Sequence, residues 1–451
     1  MRGRMRIKRN WIACLGVVLL VAGLAVPGSA KRYRSRTKRI APGVTYTVIR
    51  DPKGPFRIRV VTVDLARRST LDVELARDKL PGWERTSSMA RRRGAIAAIN
   101  GDYGRPSGRP VMAFAEDGRL LQTPLAWGRN FAVNRTETTT FIGHPKVSAW
   151  AHESDTATTH LIDRLNEGRP AWDEVAQYTS EGGSEERPPE YACSARMFPN
   201  GSPQVTVDGM GVESVHLVEE SRCSGSRMFP RGGSVLAAPL GGARELTVSS
   251  LAAGEQVLLG WSLGWPNVFD TVGGNPTLVE NGVISVRQQN DPFFKRHPRS
   301  GVGTTADGRV LMVTVDGRQP GYSVGMTPRQ FARLFVSLGA EWALNLDGGG
   351  STTTVIKGRV TNRPSDGKER PVSSALLLLP RRDSGENTSP NAAPSPSPSP
   401  TTFTGVPPPP TVWTSVVHDP ASTGGLASTL FERGAILPPS LRRAAQRFRQ
   451  R

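Results

Sequence analysis

Four residue–glycine pairs, Asp117-Gly118, Asn281-Gly282, Asp307-Gly308 and Lys357-Gly358, each stand between apolar segments. Such pairs suit the tight connection of a β-hairpin. The central positions of that turn need positive φ, which glycine adopts without steric cost. A body punctuated this way folds mainly into sheet. Val310–Val315 reads as a buried strand. One helix is well signalled, with Thr327 as its N-cap, Pro328 in the first turn and Gln330 completing a capping box. Phe331, Leu334, Phe335 and Leu338 then fall at i, i+3, i+4 and i+7, and Gly339 ends the helix. The expected class is α+β: a sheet-rich mixed domain with few helices, a disordered Pro/Ser-rich linker and a short basic tail.

Composition divides the 451 residues. Residues 1–30 have the plan of a signal peptide. Arg2, Arg4, Arg6, Lys8 and Arg9 precede the apolar run Trp11–Val26, and small residues suit cleavage after Ala30. An uncleaved anchor is the alternative. Residues 31–42 form a basic N-terminal segment and 43–382 the body, in which the more polar stretch 150–260 reads as an insert or subdomain. Residues 383–411, rich in Pro, Ser and Thr, are a linker. Residues 412–451 are a basic tail. The formal net charge is +19, much of it at the two ends. Basic blocks of this kind bind polyanions loosely. In a secreted or cell-surface protein those partners are anionic wall polymers or a membrane surface. No nucleic-acid recognition motif is present. Cys193 and Cys223, left after the leader is removed, read as a disulfide. Their flanks, each running on to Met-Phe-Pro, suggest two equivalent strand starts lying side by side.

The densest polar signal is Asn345-Leu346-Asp347-Gly348-Gly349-Gly350-Ser351, which follows an apolar strand end. A carboxylate, three glycines and a hydroxyl make a turn whose bare amides can converge on an anion. The strand–helix–strand order places Asp316 and Asp347 at two strand ends. If those strands are parallel, both carboxylates share one edge of the sheet. Further clusters are Asn100-Gly101-Asp102-Tyr103, Gly273-Gly274-Asn275-Pro276, Arg296–Gly303, Asp316-Gly317-Arg318, Asn362–Gly367 and Glu369–Val372. Gly273-Gly274 lacks the Lys-Ser/Thr of a nucleotide P-loop and reads as a backbone requirement. Ser351 has no histidine partner for a triad.

Together these clusters resemble the phosphodiester glycosidase family over about residues 94–379. The family's Asn-Gly-Gly-Phe-Phe motif becomes Asn100-Gly101-Asp102-Tyr103 here, and Asn275 replaces the third glycine before Pro276. The resemblance implies hydrolysis of a sugar-phosphate diester at the anomeric carbon. Phosphate is a good leaving group, so the demands are to hold its charge and to stabilise an oxocarbenium-like centre. Arg299, Arg318 and Arg370 are candidates for the phosphate, since arginine offers a planar fork of donors. Asp347, then Asp316, then Asp102 are candidates to activate water or attack the sugar carbon. Asn100, Asn345 and Asn362 are expected to meet sugar hydroxyls, with Gly348, Gly349 and Gly350 offering amides and Ser351 its hydroxyl. No cofactor is expected; as an alternative, the three aspartates offer oxygen ligands to a divalent cation. The rival readings are a phosphodiesterase cutting P–O bonds and a non-catalytic module that binds anionic polymers.

Overall fold

The computed structural model describes residues 34–380, apart from 67–68, 125–127, 155–157, 183–189 and 225–227. The expected signal peptide, linker and tail lie outside the described residues. The architecture is sheet-rich, with α-helices only at Thr86–Arg92, Leu246–Ser249 and Pro328–Ser337 among the described residues.

The sheet that carries the site has eight strands. Their order is Arg34–Ala41, Val44–Asp51, Phe56–Val63, Val310–Val315, Arg299–Thr305, Ala340–Asn345, Thr277–Glu280 and Val283–Ile284. Every neighbouring pair is antiparallel. The sheet is covered on both faces, which explains the unbroken apolar run Val310–Val315. Val310 and Met312 enter one core with Leu71, Ile99 and Phe131. Leu311, Val313 and Val315 enter another with Phe331 and Phe335 of the long helix. That helix has both halves of the expected capping box, Thr327 to the Gln330 amide and Gln330 back to the Thr327 amide. Gly301 and Gly303 let it lie close, because a methyl at either would stand 2.9 Å from a Phe331 or Phe335 ring carbon.

Two five-stranded sheets pack beside it. One runs Arg359–Val360, Thr354–Ile356, Ala97–Asn100, Ser374–Pro380, Ser69–Leu75; the other Thr140–Gly143, Arg129–Asn134, Val268–Gly274, Phe114–Glu116, Arg119–Gln122. Asp117-Gly118, Asn281-Gly282 and Lys357-Gly358 form two-residue hairpin turns with positive φ at both residues. Asp307-Gly308 turns with positive φ at the glycine alone.

Two sequence expectations change. The basic segment does not stay apart from the body from residue 34 onward: Arg34–Ala41 is an edge strand paired with Val44–Asp51. Its alternating Arg and Lys remain exposed, a charge pattern that discourages further edge pairing. The cysteines do not start two equivalent strands. Cys193 lies near the start of Ala192–Pro199, whereas Cys223 closes the antiparallel Val212–Cys223 directly opposite, and the two are joined by a disulfide. Both belong to a nine-stranded sheet built from residues within 148–262, with a core that includes Met197, Leu236 and Trp261.

Candidate active site

Strand register assembles the site. Val310–Val315 and Ala340–Asn345 each pair antiparallel with Arg299–Thr305 between them, so they run parallel to one another. Asp316 and Asp347 therefore leave the sheet at one edge, and Arg299 enters it there. Arg299 lies opposite Val315, and Gly301 lies opposite Asn345. Backbone bonds from Leu346 N–H to the Ser300 carbonyl and from Gly349 N–H to the Pro298 carbonyl fix the glycine turn against this entry.

Asp347 is the partly exposed residue of the three aspartates. Burial pushes its pKa up to about 6, opposed by the Ser351 hydroxyl, the Gly348 amide and the nearby charges of Arg370 and Arg318. The Gly348 N–H donates to Asp347 Oδ1 at 2.7 Å.

The arginines stand over the glycines. A methyl on Gly349 would lie 2.9 Å from Arg318 Nη2, and one on Gly350 would lie 2.2 Å from Arg370 Nη2. Any side chain at these two positions would push a guanidinium away from Asp347. Gly349 also has φ +63°, a left-handed conformation in which glycine carries no penalty. Both arginines are exposed, so their free donors face solvent. Arg370 is held by Asp366 through Nε at 2.9 Å and Nη2 at 2.6 Å. Arg318 donates from Nε to His297 Nδ1 at 3.3 Å. His297 in turn donates from Nε2 to the Pro292 carbonyl at 2.8 Å. Burial and the neighbouring cations hold its pKa below the usual range. It acts as a neutral acceptor that aims Arg318.

Arg299 is buried beneath them. Its Nε donates to the Met326 carbonyl and its Nη2 to the Phe293 and Lys295 carbonyls, and the guanidinium lies 4.7 Å from the Phe293 ring centre. Burial lowers its pKa to about 10, so it remains charged at neutral pH. Nη1 makes no hydrogen bond among the described residues.

The remaining candidates form the frame. Asp316 Oδ2 pairs with Arg59 at 2.5 Å and accepts from Tyr322, while Oδ1 accepts from Asn362 Nδ2 and the Arg363 amide. Oδ1 thus anchors the loop after residue 361, and Oδ2 is held by Arg59 and Tyr322. Asp102 is fully buried, with Oδ1 on the Tyr103 amide and Oδ2 on the Val111 and Met112 amides. Burial raises its pKa to about 7, against those three amides and helped by the charge of Asp347. Asp102, Asp316 and Asp347 are not among the described acids whose oxygens lie within 4.8 Å of one another. The acids that do converge among the described residues are Asp72, Asp117 and Asp270, in another part of the chain.

The three asparagines are buried and bonded within the protein. Asn100 donates to the Asp347 carbonyl at 2.7 Å and accepts from Ser300 and the Thr353 amide. Asn345 donates to Tyr103 Oη, which itself donates to the Asn275 carbonyl at 2.7 Å. Asn362 donates to Asp316 and the Thr352 carbonyl and accepts from the Thr354 amide. The Gly348 amide is used within the turn, on Asp347, and the Gly349 amide on the Pro298 carbonyl.

Sequence reasoning missed Arg59, Tyr322, the pairing of Asp366 with Arg370 and the positioning part of His297. A signal for Arg59 exists: it stands between the apolar Ile58 and Val60 of its strand and, unlike Arg57, it is buried.

A carboxylate at the end of a buried strand, beside two exposed guanidinium groups over a glycine turn, makes a surface suited to an anion. Residues 205–379 match the family model described as phosphodiester glycosidase, and the chain is similar to that family over this stretch. An uncharacterised SPβ prophage-derived protein of Bacillus subtilis, YomE, is 42% identical over 83 residues, covering 18% of this chain and 13% of that protein. A hypothetical protein from Synechocystis shares the fold, with TM-score 0.56 and 20% identity over 77% of this chain and 64% of that one. A protein from Burkholderia pseudomallei, described as exported, aligns with TM-score 0.52 and 21% identity over 72% of this chain and 74% of its own.

Proposed function

We propose that this protein hydrolyses glycosyl-1-phosphodiesters at the anomeric carbon, releasing a sugar from a phosphorylated acceptor or surface polymer. The observation that carries the reading is Asp347 flanked by Arg318 and Arg370, both drawn close by side-chain-free glycines. The two exposed guanidinium groups hold the departing phosphate and offset its charge. A carboxylate with pKa about 6 is largely ionised at neutral pH, and it activates water or attacks C1. One accessible carboxylate suffices here, because a phosphodiester leaves without strong acid assistance. Ser351 lies near enough to favour the ionised Asp347, and His297 holds Arg318 beside it.

Action outside the cytoplasm fits the Cys193–Cys223 disulfide, the leader-like N-terminal sequence and the export attributed to the Burkholderia protein. The test is a panel of sugar-1-phosphate diesters turned over in ¹⁸O-water. Label in the sugar supports C–O cleavage. Label in the phosphate identifies a phosphodiesterase instead. No turnover of any member, with polymer binding retained, identifies a binding module.

A further inference from the structure

A cavity of about 320 Å³ is lined by residues next in the chain and in the sheet to those that hold the candidate centre. Its wall includes Arg129, Thr277, Glu280, Ser285, Arg287 and Phe294. Two chain connections tie it to the site. Pro276, also on the wall, follows Asn275, whose carbonyl accepts from Tyr103 and Asn345. Phe294 follows Phe293, whose carbonyl accepts from Arg299. Thr277 lies opposite Leu344 in the sheet, three residues before Asp347. The strand of Leu344 itself ends at Asn345, at the same edge as Asp347.

The wall has donors without acceptors. Arg129 is half-buried and makes no hydrogen bond or ion pair among the described residues. Thr277 is 4% exposed, and its buried Oγ1 has no hydrogen-bond partner. Arg287 is exposed, also without a partner among the described residues. Glu280 is near enough to favour the charged Arg129 but forms no ion pair with it. Two arginines against one carboxylate leave the cavity positive. A half-buried guanidinium beside an orphaned hydroxyl is a costly arrangement unless an anion with several acceptor oxygens completes it.

We propose that this cavity is a second phosphate subsite, which holds the phosphate of the repeat adjoining the cleaved linkage. Resting on the function proposed above, this makes the preferred substrate a chain with more than one sugar-phosphate unit. Arg129 and the Thr277 hydroxyl grip that phosphate, Arg287 closes over it from the solvent side, and Phe294 offers an apolar face to the intervening sugar.

Two measurements test it. In the full chain, Arg129→Gln with Arg287→Gln is assayed on a diester with one phosphate and on an oligomer of the same sugar with two. The expected result is a loss of about tenfold or more in kcat/KM for the oligomer, through KM, as for loss of a charge-assisted hydrogen bond. The single-phosphate substrate keeps its rate, which also shows that the variant folds. Equal losses on both substrates, or no loss on either, overturn the proposal. The second measurement needs no turnover. Inorganic phosphate is titrated calorimetrically into Arg318→Gln/Arg370→Gln protein, which lacks the main anion grip. Saturable binding that disappears on adding Arg129→Gln supports the subsite, even if no diester is hydrolysed and the catalytic reading falls. Absence of binding in that background overturns the subsite and leaves the catalytic reading standing.

Discussion

Gly350→Ala probes the arginine-flanked carboxylate without touching a charge. The new methyl would stand 2.2 Å from both Arg370 Nη2 and Asp366 Oδ2, well inside a contact distance of about 3.5 Å. Gly350 is not in the left-handed region, so the methyl adds no backbone strain there. Arg370 and Asp366 are exposed and can move aside as a pair. Stability should therefore change by only about 0.5 kcal/mol, as for other surface adjustments. Activity should not be spared. Arg370 would be displaced from the phosphate, forfeiting a charge-assisted hydrogen bond of about 1.5–3 kcal/mol, or roughly 10–100-fold in kcat/KM. The assay is steady-state hydrolysis of a chromogenic glycosyl-1-phosphodiester, with a thermal melt on the same preparation. Arg370→Ala should lose a similar factor, and the double variant no more than the worse single, because both act through one contact. Wild-type turnover in Gly350→Ala, or losses that multiply in the double variant, would refute the placement of Arg370 over the reacting phosphate.

Other outcomes follow from the same geometry. Turnover should rise with pH through about 6 as Asp347 ionises, and Asp347→Asn should abolish it. Because burial raises that pKa in the fold, ionised Asp347 costs stability as pH climbs from about 4 to 6, so Asp347→Asn should melt no lower than wild type at pH 7. Asp316→Asn should behave oppositely, losing stability by about 3–5 kcal/mol in urea titration, since it leaves the buried Arg59 without its counter-charge. Glu74 has its pKa pushed up to about 8 by burial, against Arg93 and Arg92. Its protonated form stabilises the fold at low pH, and that contribution fades as pH rises from about 4.5 to 8. The fall in melting temperature over this range should be shallower in Glu74→Gln, measured by calorimetry at several pH values.

Features decided by neighbours in sequence were legible from the residues alone. The Asn281-Gly282 and Lys357-Gly358 turns, and the Thr327–Gln330 capping box, each depend on a few adjacent groups, and each forms as read. The edge shared by Asp316 and Asp347 followed from chain order, because a helix of that length permits a parallel return. Partner choice was not legible. Arg59 and Asp316 are 257 residues apart, and nothing local announces the pair. Asparagine donates equally well to a sugar or to a carbonyl, so residue type could not show that Asn100 and Asn362 hold the loop and strand backbone around Asp347. Residue 223 lies at a strand's end instead of its start because sheet pairing, and not the Met-Phe-Pro that follows each cysteine, places it.

The strand Ser374–Pro380 lies inside its sheet, between Ala97–Asn100 and the edge strand Ser69–Leu75. Residue 100 meets residue 375, and residue 75 meets residue 374. On a growing polypeptide the two earlier strands would therefore wait, unzipped, for nearly the whole body to be made. Pairings this remote are slow to close, since loop entropy must be met before they bring any gain. The Asn100 side chain that grips the Asp347 carbonyl belongs to one of those waiting strands, so hydrolytic competence should emerge late in maturation, after synthesis of the body is complete.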